Sequence, residues 1–381
     1  MSSQRRYRSA TGCSQEFLES PRRSASQWPR ASLIAATLFA LAAPFASSAA
    51  SAHCISVGVD IDEHLLVDPQ RDEDYAGGFA LKFAGSSESC GRRSLAPVLT
   101  RIDHDFGLGG AASAGNRRAS HAFGGGLLVF TPRNLAARST VPGDRPYASL
   151  LYLSSGRRTV SADDSVAVDS TLTVGVLGLA LGQNLQRALH HITSSVQPMG
   201  WRHQISSGGE PTARFGLARQ SLLFEHVGVD QQGYDVKWSA LANAGMISDA
   251  GLAINIRAGR IASPWWAYTP EQNAYTDDFL PPPPRLAAGR GVEIFAMAGA
   301  RVRMRAYDVF LEGQFRHSDL RYSGAALRPI LADAWVGFEV RVAQAFDLSY
   351  LVRAQTPEMR SGRGARTLLW ASIEIEHPCS C

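Results

Sequence analysis

The sequence predicts an all-β fold: a twelve-stranded antiparallel transmembrane barrel with a short helix in one extracellular loop. Three observations carry that expectation. The N-terminus looks like an export signal, about twelve later segments of roughly ten residues alternate apolar and polar side chains, and no later window is apolar over the roughly eighteen residues a membrane helix needs.

The export signal comes first along the chain. Arg5, Arg6, Arg8, Arg22, Arg23 and Arg30 precede the apolar run "LIAATLFALAA" (33–43), and Ala50, Ser51 and Ala52 supply a small-residue cleavage site. Residues 1–52 are therefore expected to be a signal peptide and 53–381 a single barrel domain. A lipoprotein signal ending at Cys54 is the alternative, disfavoured by His53 in front of it. Lys+Arg number 38 and Asp+Glu 34, a formal net charge of +4, so no basic stripe points to nucleic acid and no acidic run to disorder.

Strands are expected near 55–62, 75–86, 120–131, 146–160, 166–179, 213–228, 234–247, 251–261, 291–306, 331–343, 346–357 and 366–377. In the first, "ISVGVDID", Ile55, Val57, Val59 and Ile61 point one way and Ser56, Gly58, Asp60 and Asp62 the other. The eighth sets Asn255 and Arg257 against Leu252, Ile254 and Ile256, and the ninth sets Glu293, Arg301, Arg303 and Arg305 against Val292, Ile294, Val302 and Met304. "ASIEIEH" alternates again near the end. A soluble sandwich has the same period; the export signal and the even strand number favour a barrel with apolar residues toward lipid.

With the N-terminus in the periplasm, strand parity makes 63–74, 132–145 and 180–212 outer loops. It makes 85–119, the "FLPPPPRLAAGRG" connection and both termini periplasmic. Cys54, Cys90, Cys379 and Cys381 then share the periplasmic rim, where disulfides can form, with Cys54 expected to bond Cys379 or Cys381 at the barrel seam. Within 180–212, "LGQNLQRALHHI" (181–192) reads as a helix carrying Gln186 and His190 on one side.

Four further stretches stand in order around that helix: "DEDYAGGFAL", "VFTPRN", "VPGDRPYASLLYL" and "PMGWRHQI". Together with the Gln-x-x-x-His helix, they resemble the lipid A 3'-O-deacylase (LpxR-type) outer-membrane family over residues 55–201. The resemblance implies a calcium-dependent esterase of the bacterial outer membrane, removing the 3'-linked acyl group of lipid A, with its site between the barrel wall and the loop helix. It implies His190 as general base, Gln186 as a neighbour orienting water, substrate or imidazole, Asp60 as a metal-site residue for Ca2+, and Arg138 as a contact to the anionic head group. Ester hydrolysis needs a base with a pKa near neutrality and a positive centre for the oxyanion, which these residue types can supply. Four polar family positions are apolar here: Val59, Ala76, Ala137 and Val196.

The expected partners are lipopolysaccharide and the membrane itself, without nucleic acid, for a monomer. Two other readings stand beside the deacylase: an inactive barrel of the same family with an envelope or binding role, and a phospholipase or other esterase using Ser194 with His190. Elsewhere, "RIDHDFG" (101–107) reads as a solvated periplasmic turn and Trp265, Trp266 and Tyr268 as an interfacial girdle. Arg301, Arg303 and Arg305 read as lumen residues paired with acids such as Glu293, in a barrel too crowded to be a passive porin.

Overall fold

The computed structural model describes residues 54–63, 74–85, 95–107, 118–272, 280, 291–342 and 345–378. Residues 1–52, expected to be a signal peptide, and Cys90, Cys379 and Cys381 lie outside them. Twelve strands run β1 (Cys54–Glu63), β2 (Asp74–Gly85), β3 (Arg118–Thr131), β4 (Ala148–Val160), β5 (Val166–Leu177), β6 (Glu210–Val227), β7 (Gln232–Gly245), β8 (Ile247–Arg260), β9 (Val292–Asp308), β10 (Ile330–Val342), β11 (Phe346–Gln355) and β12 (Leu368–Pro378). They pair in sequence order, and β1 pairs antiparallel with β12, closing the barrel and leaving no free edge. Among the described residues three α-helices accompany them: α1 (Ala96–Asp105), α2 (Ala180–Thr193) and the single-turn α3 (Val309–Glu312).

Alternation sets the two faces of the wall. On β8, Leu252, Ile254 and Ile256 are 62%, 51% and 43% exposed toward lipid, while Asn255 and Arg257 are buried in the lumen. A charge taken from water is costly unless paired, and the lumen pairs its guanidiniums. Arg158 meets Asp169 at 2.6 Å, Arg257 meets Asp235 at 2.7 Å, Arg301 meets Asp333 at 2.9 Å and Arg303 meets Asp249 at 2.8 Å. The expected lumen role of the β9 arginines holds, although Glu293 itself pairs with Arg341 at 2.8 Å.

Two sequence expectations are corrected. Trp265, Trp266 and Tyr268 form no interfacial girdle: they are buried, in a periplasmic segment that folds up into the lumen. There Glu271 accepts hydrogen bonds from Ser239 and Asn255 at 2.6 and 3.0 Å, and Gln272 donates to Asp169 at 2.9 Å. Tyr268 presents its ring to Lys237, 4.2 Å from the centroid. The lumen's charges need partners, and this segment supplies them while filling the bore.

The second correction concerns "RIDHDFG", which is the end of α1 and the turn after it rather than a solvated turn. Asp103 is 1% exposed and accepts from Arg157 and Ser170 at 2.9 and 2.8 Å. Arg157 shares the lipid-facing side of β4 with Leu151 and Leu153, so α1 lies outside the barrel against β4 and β5. Phe106 stacks there on Phe215, with 5.9 Å between ring centroids. The helix shields polar wall residues that would otherwise meet lipid.

Candidate active site

α2 starts where β5 leaves the outer end of the wall. Gly178, at φ +70°, makes that turn; a Cβ on it would stand 2.0 Å from the Ser206 carbonyl oxygen. Gly182, Gln186 and His190 are the buried residues of the helix, and their spacing of four puts them on one stripe. The stripe faces Val129 and Ser149, which pair across β3 and β4. A Cβ on Gly182 would lie 2.7 Å from Ser149 Cβ and 3.4 Å from Val129 Cγ2, so this close approach requires glycine.

These wall positions point outward. Val129 and Ser149 share their face with Leu127 and Leu151, and Leu151 and Leu153 are 40% and 61% exposed. Leu150 and Tyr152, between them, belong to the core inside the barrel. α2 is thus pressed against the lipid-facing side of the wall at its extracellular end.

His190 is almost fully buried, and its Nδ1 contacts the Val196 carbonyl oxygen. A carbonyl can only accept, so Nδ1 carries the proton and a neutral ring keeps its lone pair on Nε2. The helix end makes this contact possible. Ser194 is left-handed at φ 54°, and the Ser195 N–H donates to the His190 carbonyl at 2.9 Å, turning the chain back toward the ring. Val196 lacks a carboxylate, but its backbone oxygen still orients the imidazole.

Gln186 Oε1 accepts from Trp201 Nε1 at 2.9 Å, and Gln186 Nε2 is buried with no hydrogen-bond partner among the described residues. Trp201 packs on Tyr147 with centroids 4.8 Å apart, and the Tyr147 hydroxyl donates to the Leu135 carbonyl at 3.1 Å. Ser149 Oγ lies 3.1 Å from the Leu179 carbonyl and 3.0 Å from Gln204 Oε1, while Gln204 Nε2 donates to the Gly178 carbonyl at 3.1 Å. The "PMGWRHQI" strap therefore ties the start of α2 to the wall and fixes its middle.

The Gly-Asp-Arg stretch braces the neighbouring loop. Asp144 accepts from the Arg133 and Arg145 N–H groups at 3.1 and 2.9 Å, and Arg145 pairs with Glu358. In the same loop Arg138 is exposed, and the carbonyl of adjacent Ala137 would sit 3.0 Å from a Cβ on Gly200, next to Trp201. Arg138 thus borders the helix strap.

Asp60 is elsewhere. It faces the lumen in register with Glu374 of β12, close to Asp62 and to Lys82, which pairs with Glu374 and, at 3.2 Å, Glu376. The structure brings Gln186 and His190 together, sets Arg138 at their border, and leaves Asp60 on the opposite face of the wall. Ser194 is exposed. Tyr147, Ser149 and Gly182 support the site without having been singled out in the sequence; the glycine four residues before Gln186 was the available signal.

No curated protein sequence matches this chain. A family model described as outer membrane protein LpxR matches residues 33–378. The chain belongs to the LpxR family. The solved structure of LpxR from Salmonella typhimurium shares the fold, with 13% identity and a TM-score of 0.64, over 84% of this chain and 99% of that one. The beta domain of the Bordetella autotransporter BrkA has 8% identity and a TM-score of 0.38, over 86% of this chain and 99% of that one. The KdgM porin has 5% identity and a TM-score of 0.35, over 85% and 98%. Membership of the LpxR family and the closed twelve-stranded barrel place the protein in the bacterial outer membrane.

Calcium, implied by the resemblance, does not fit the described residues. Among them no three His, Cys, Asp or Glu residues converge as a metal site, and Asp60 stands beside the Lys82 ammonium rather than on the α2 face. Calcium asks for six to eight oxygen ligands.

Proposed function

We propose that this LpxR-family barrel is an outer-membrane hydrolase that removes the 3'-linked acyl ester of lipid A. The observation that carries the reading is the buried Gln186 and His190 pair, held on the lipid-facing wall at the extracellular end. A lipid of the outer leaflet can bring an acyl ester to that depth without entering the filled lumen.

In the proposed reaction His190 Nε2 takes a proton from water as the oxygen attacks the ester carbonyl carbon. The unpartnered Gln186 Nε2 donates to the oxyanion that forms, a contact that strengthens as charge develops. Collapse breaks the bond to the sugar 3'-oxygen, which takes the proton back from the imidazolium, leaving a 3'-hydroxyl and a free fatty acid. Arg138 meets a phosphate of the head group at the border of the strap. No step is assigned to calcium.

Residues 1–52 serve as the export signal in this reading. Mass spectrometry of lipid A from cells with and without the protein tests the activity; loss of the 3'-acyloxyacyl mass is the expected result. An unchanged spectrum with a folded barrel would favour an inactive family member, a reading that the lumenal position of Asp60 and the apolar Val59 and Ala76 support. Fatty acid released from glycerophospholipid instead would select a phospholipase.

A further inference from the structure

Four described outer loops are knit into one cap at the outer end of the barrel. Tyr322 donates through its hydroxyl to the Asp144 carbonyl at 2.6 Å, and the Gly364 N–H donates to the Gly143 carbonyl at 2.9 Å. The Arg360 N–H reaches the Ala326 carbonyl at 2.9 Å, and the Ser206 N–H reaches Ser318 Oγ at 3.1 Å. Segments 132–147, 178–209, 309–329 and 356–367 thereby share one surface.

That surface carries positive charge with little compensation. Arg202, Arg316, Arg321, Arg328, Arg360 and Arg363 are exposed, and among the described residues none of them forms an ion pair. The nearby carboxylates already have partners, although Asp319 also feels Arg202 and Glu210 lies on the Arg316 backbone. Asp319 is held by His203, Glu358 by Arg145, and Glu210 accepts the Phe315 and Arg316 N–H groups at 2.6 and 3.2 Å. Below the cap, by contrast, the lumen arginines named above each sit on a carboxylate. The whole chain has a formal net charge of only +4, so the arrangement is a local separation of charge.

We infer that the arginine cap binds the phosphorylated saccharide of lipopolysaccharide, the part of the molecule that continues outward from lipid A. This rests on the proposed substrate of the α2 site and extends it. A lipid A acyl ester held against the wall directs its sugars past the wall's outer end and onto the cap. Arginine is suited to such a partner, since its planar guanidinium can donate two parallel hydrogen bonds to a phosphate. Exposed, uncompensated guanidiniums also avoid the desolvation that keeps the lumen arginines tied to their acids.

The test is calorimetric binding of phosphorylated core oligosaccharide, freed of all acyl chains, to the refolded full-length barrel in detergent. The comparison is a variant carrying Arg316→Gln, Arg321→Gln, Arg360→Gln and Arg363→Gln. Each arginine near an anionic partner contributes roughly fivefold, so partly screened charges should together weaken binding about 100-fold. Wild-type affinity should fall as salt rises, and enzymatic removal of the phosphates should reproduce the variant's loss. Equal binding by wild type and variant, or by phosphorylated and dephosphorylated saccharide, would overturn the inference. Because this ligand lacks acyl chains, a barrel that binds it but leaves lipid A intact would refute the deacylase reading alone.

Discussion

Gly182→Ala should cripple the proposed hydrolase while leaving the barrel folded. The added Cβ would stand 2.7 Å from Ser149 Cβ, against about 3.5–4.0 Å for an ordinary carbon contact. The wall cannot yield, because Ser149 is locked in the β3–β4 ladder opposite Val129, so α2 must shift outward by about 1 Å. His190 lies two helical turns along the same stripe and moves with it, away from the wall. Misplacing a reacting group by about 1 Å can cost about 100-fold in rate. Helix propensity argues in the other direction, since alanine is better than glycine in a helix by about 1 kcal/mol. The two effects differ in sign, which makes the substitution decisive. Deacylation of lipid A in mixed micelles would be measured beside the heat-modifiable gel shift that reports the closed barrel. The shift should persist, as α2 lies outside the wall. Adding Ser149→Gly should recover part of the activity by making room, though it also removes the Ser149 contacts to Leu179 and Gln204. Full activity in Gly182→Ala would refute the claim that close helix–wall packing positions His190.

Four further outcomes follow from the geometry. His190→Ala should lower deacylation by about two to four orders of magnitude with the gel shift retained, and a fully active variant would remove the base assignment. Calorimetry on refolded protein should find no micromolar calcium site, because Val59, Ala76 and Val196 bring no side-chain oxygen and Asp60 faces Lys82 in the lumen; a micromolar site would contradict this. Cys54 opens β1, and Ser56 pairs with Pro378 at the end of β12, so non-reducing peptide mapping should recover Cys54 joined to Cys379 or Cys381 and not as a free thiol. Burial by itself would raise the Glu358 pKa, yet the guanidiniums of Arg145, Arg305 and Arg303 hold it below its ordinary 4.5. A depressed carboxylate stabilises the fold above its unfolded pKa and stops doing so as pH falls through the folded one. Hydrogen exchange in 356–367 should therefore stay slow from neutrality down to about pH 4.5 and accelerate below it, whereas loosening already at pH 6 would point to another group.

How much of this was legible in advance can be judged residue by residue. Period-two alternation located all twelve strands to within a few residues and placed Arg301, Arg303 and Arg305 in the lumen, because a strand's geometry sends neighbouring side chains to opposite faces whatever surrounds it. The i, i+4 spacing of Gln186 and His190 likewise put both on one face of α2. Such local rules depend only on the chain's own covalent geometry, and parity then sorted the loops between the two sides of the membrane.

What the sequence alone could not decide was which polar group would meet which. Trp265, Trp266 and Tyr268 have the composition of an interfacial girdle, and only the closed barrel, with a lumen full of guanidiniums and ammonium groups seeking partners, draws them inside. The acidic turn around Asp103 looks solvated until Arg157 and Ser170, far off in sequence, present an uncovered polar patch on the lipid-facing wall. Val196 reads as the loss of a carboxylate, yet the left-handed Ser194 folds its carbonyl onto His190. Asp60 resembles a metal-site residue by position along the chain, and alternation already sends it to the lumen side; only the packing of α2 on the outward Val129 and Ser149 shows that Gln186 and His190 lie across the wall from it. Alternation and helical spacing are properties of a segment and can be read there; compensation of buried polar groups is a property of the assembled barrel and is decided only when distant segments meet.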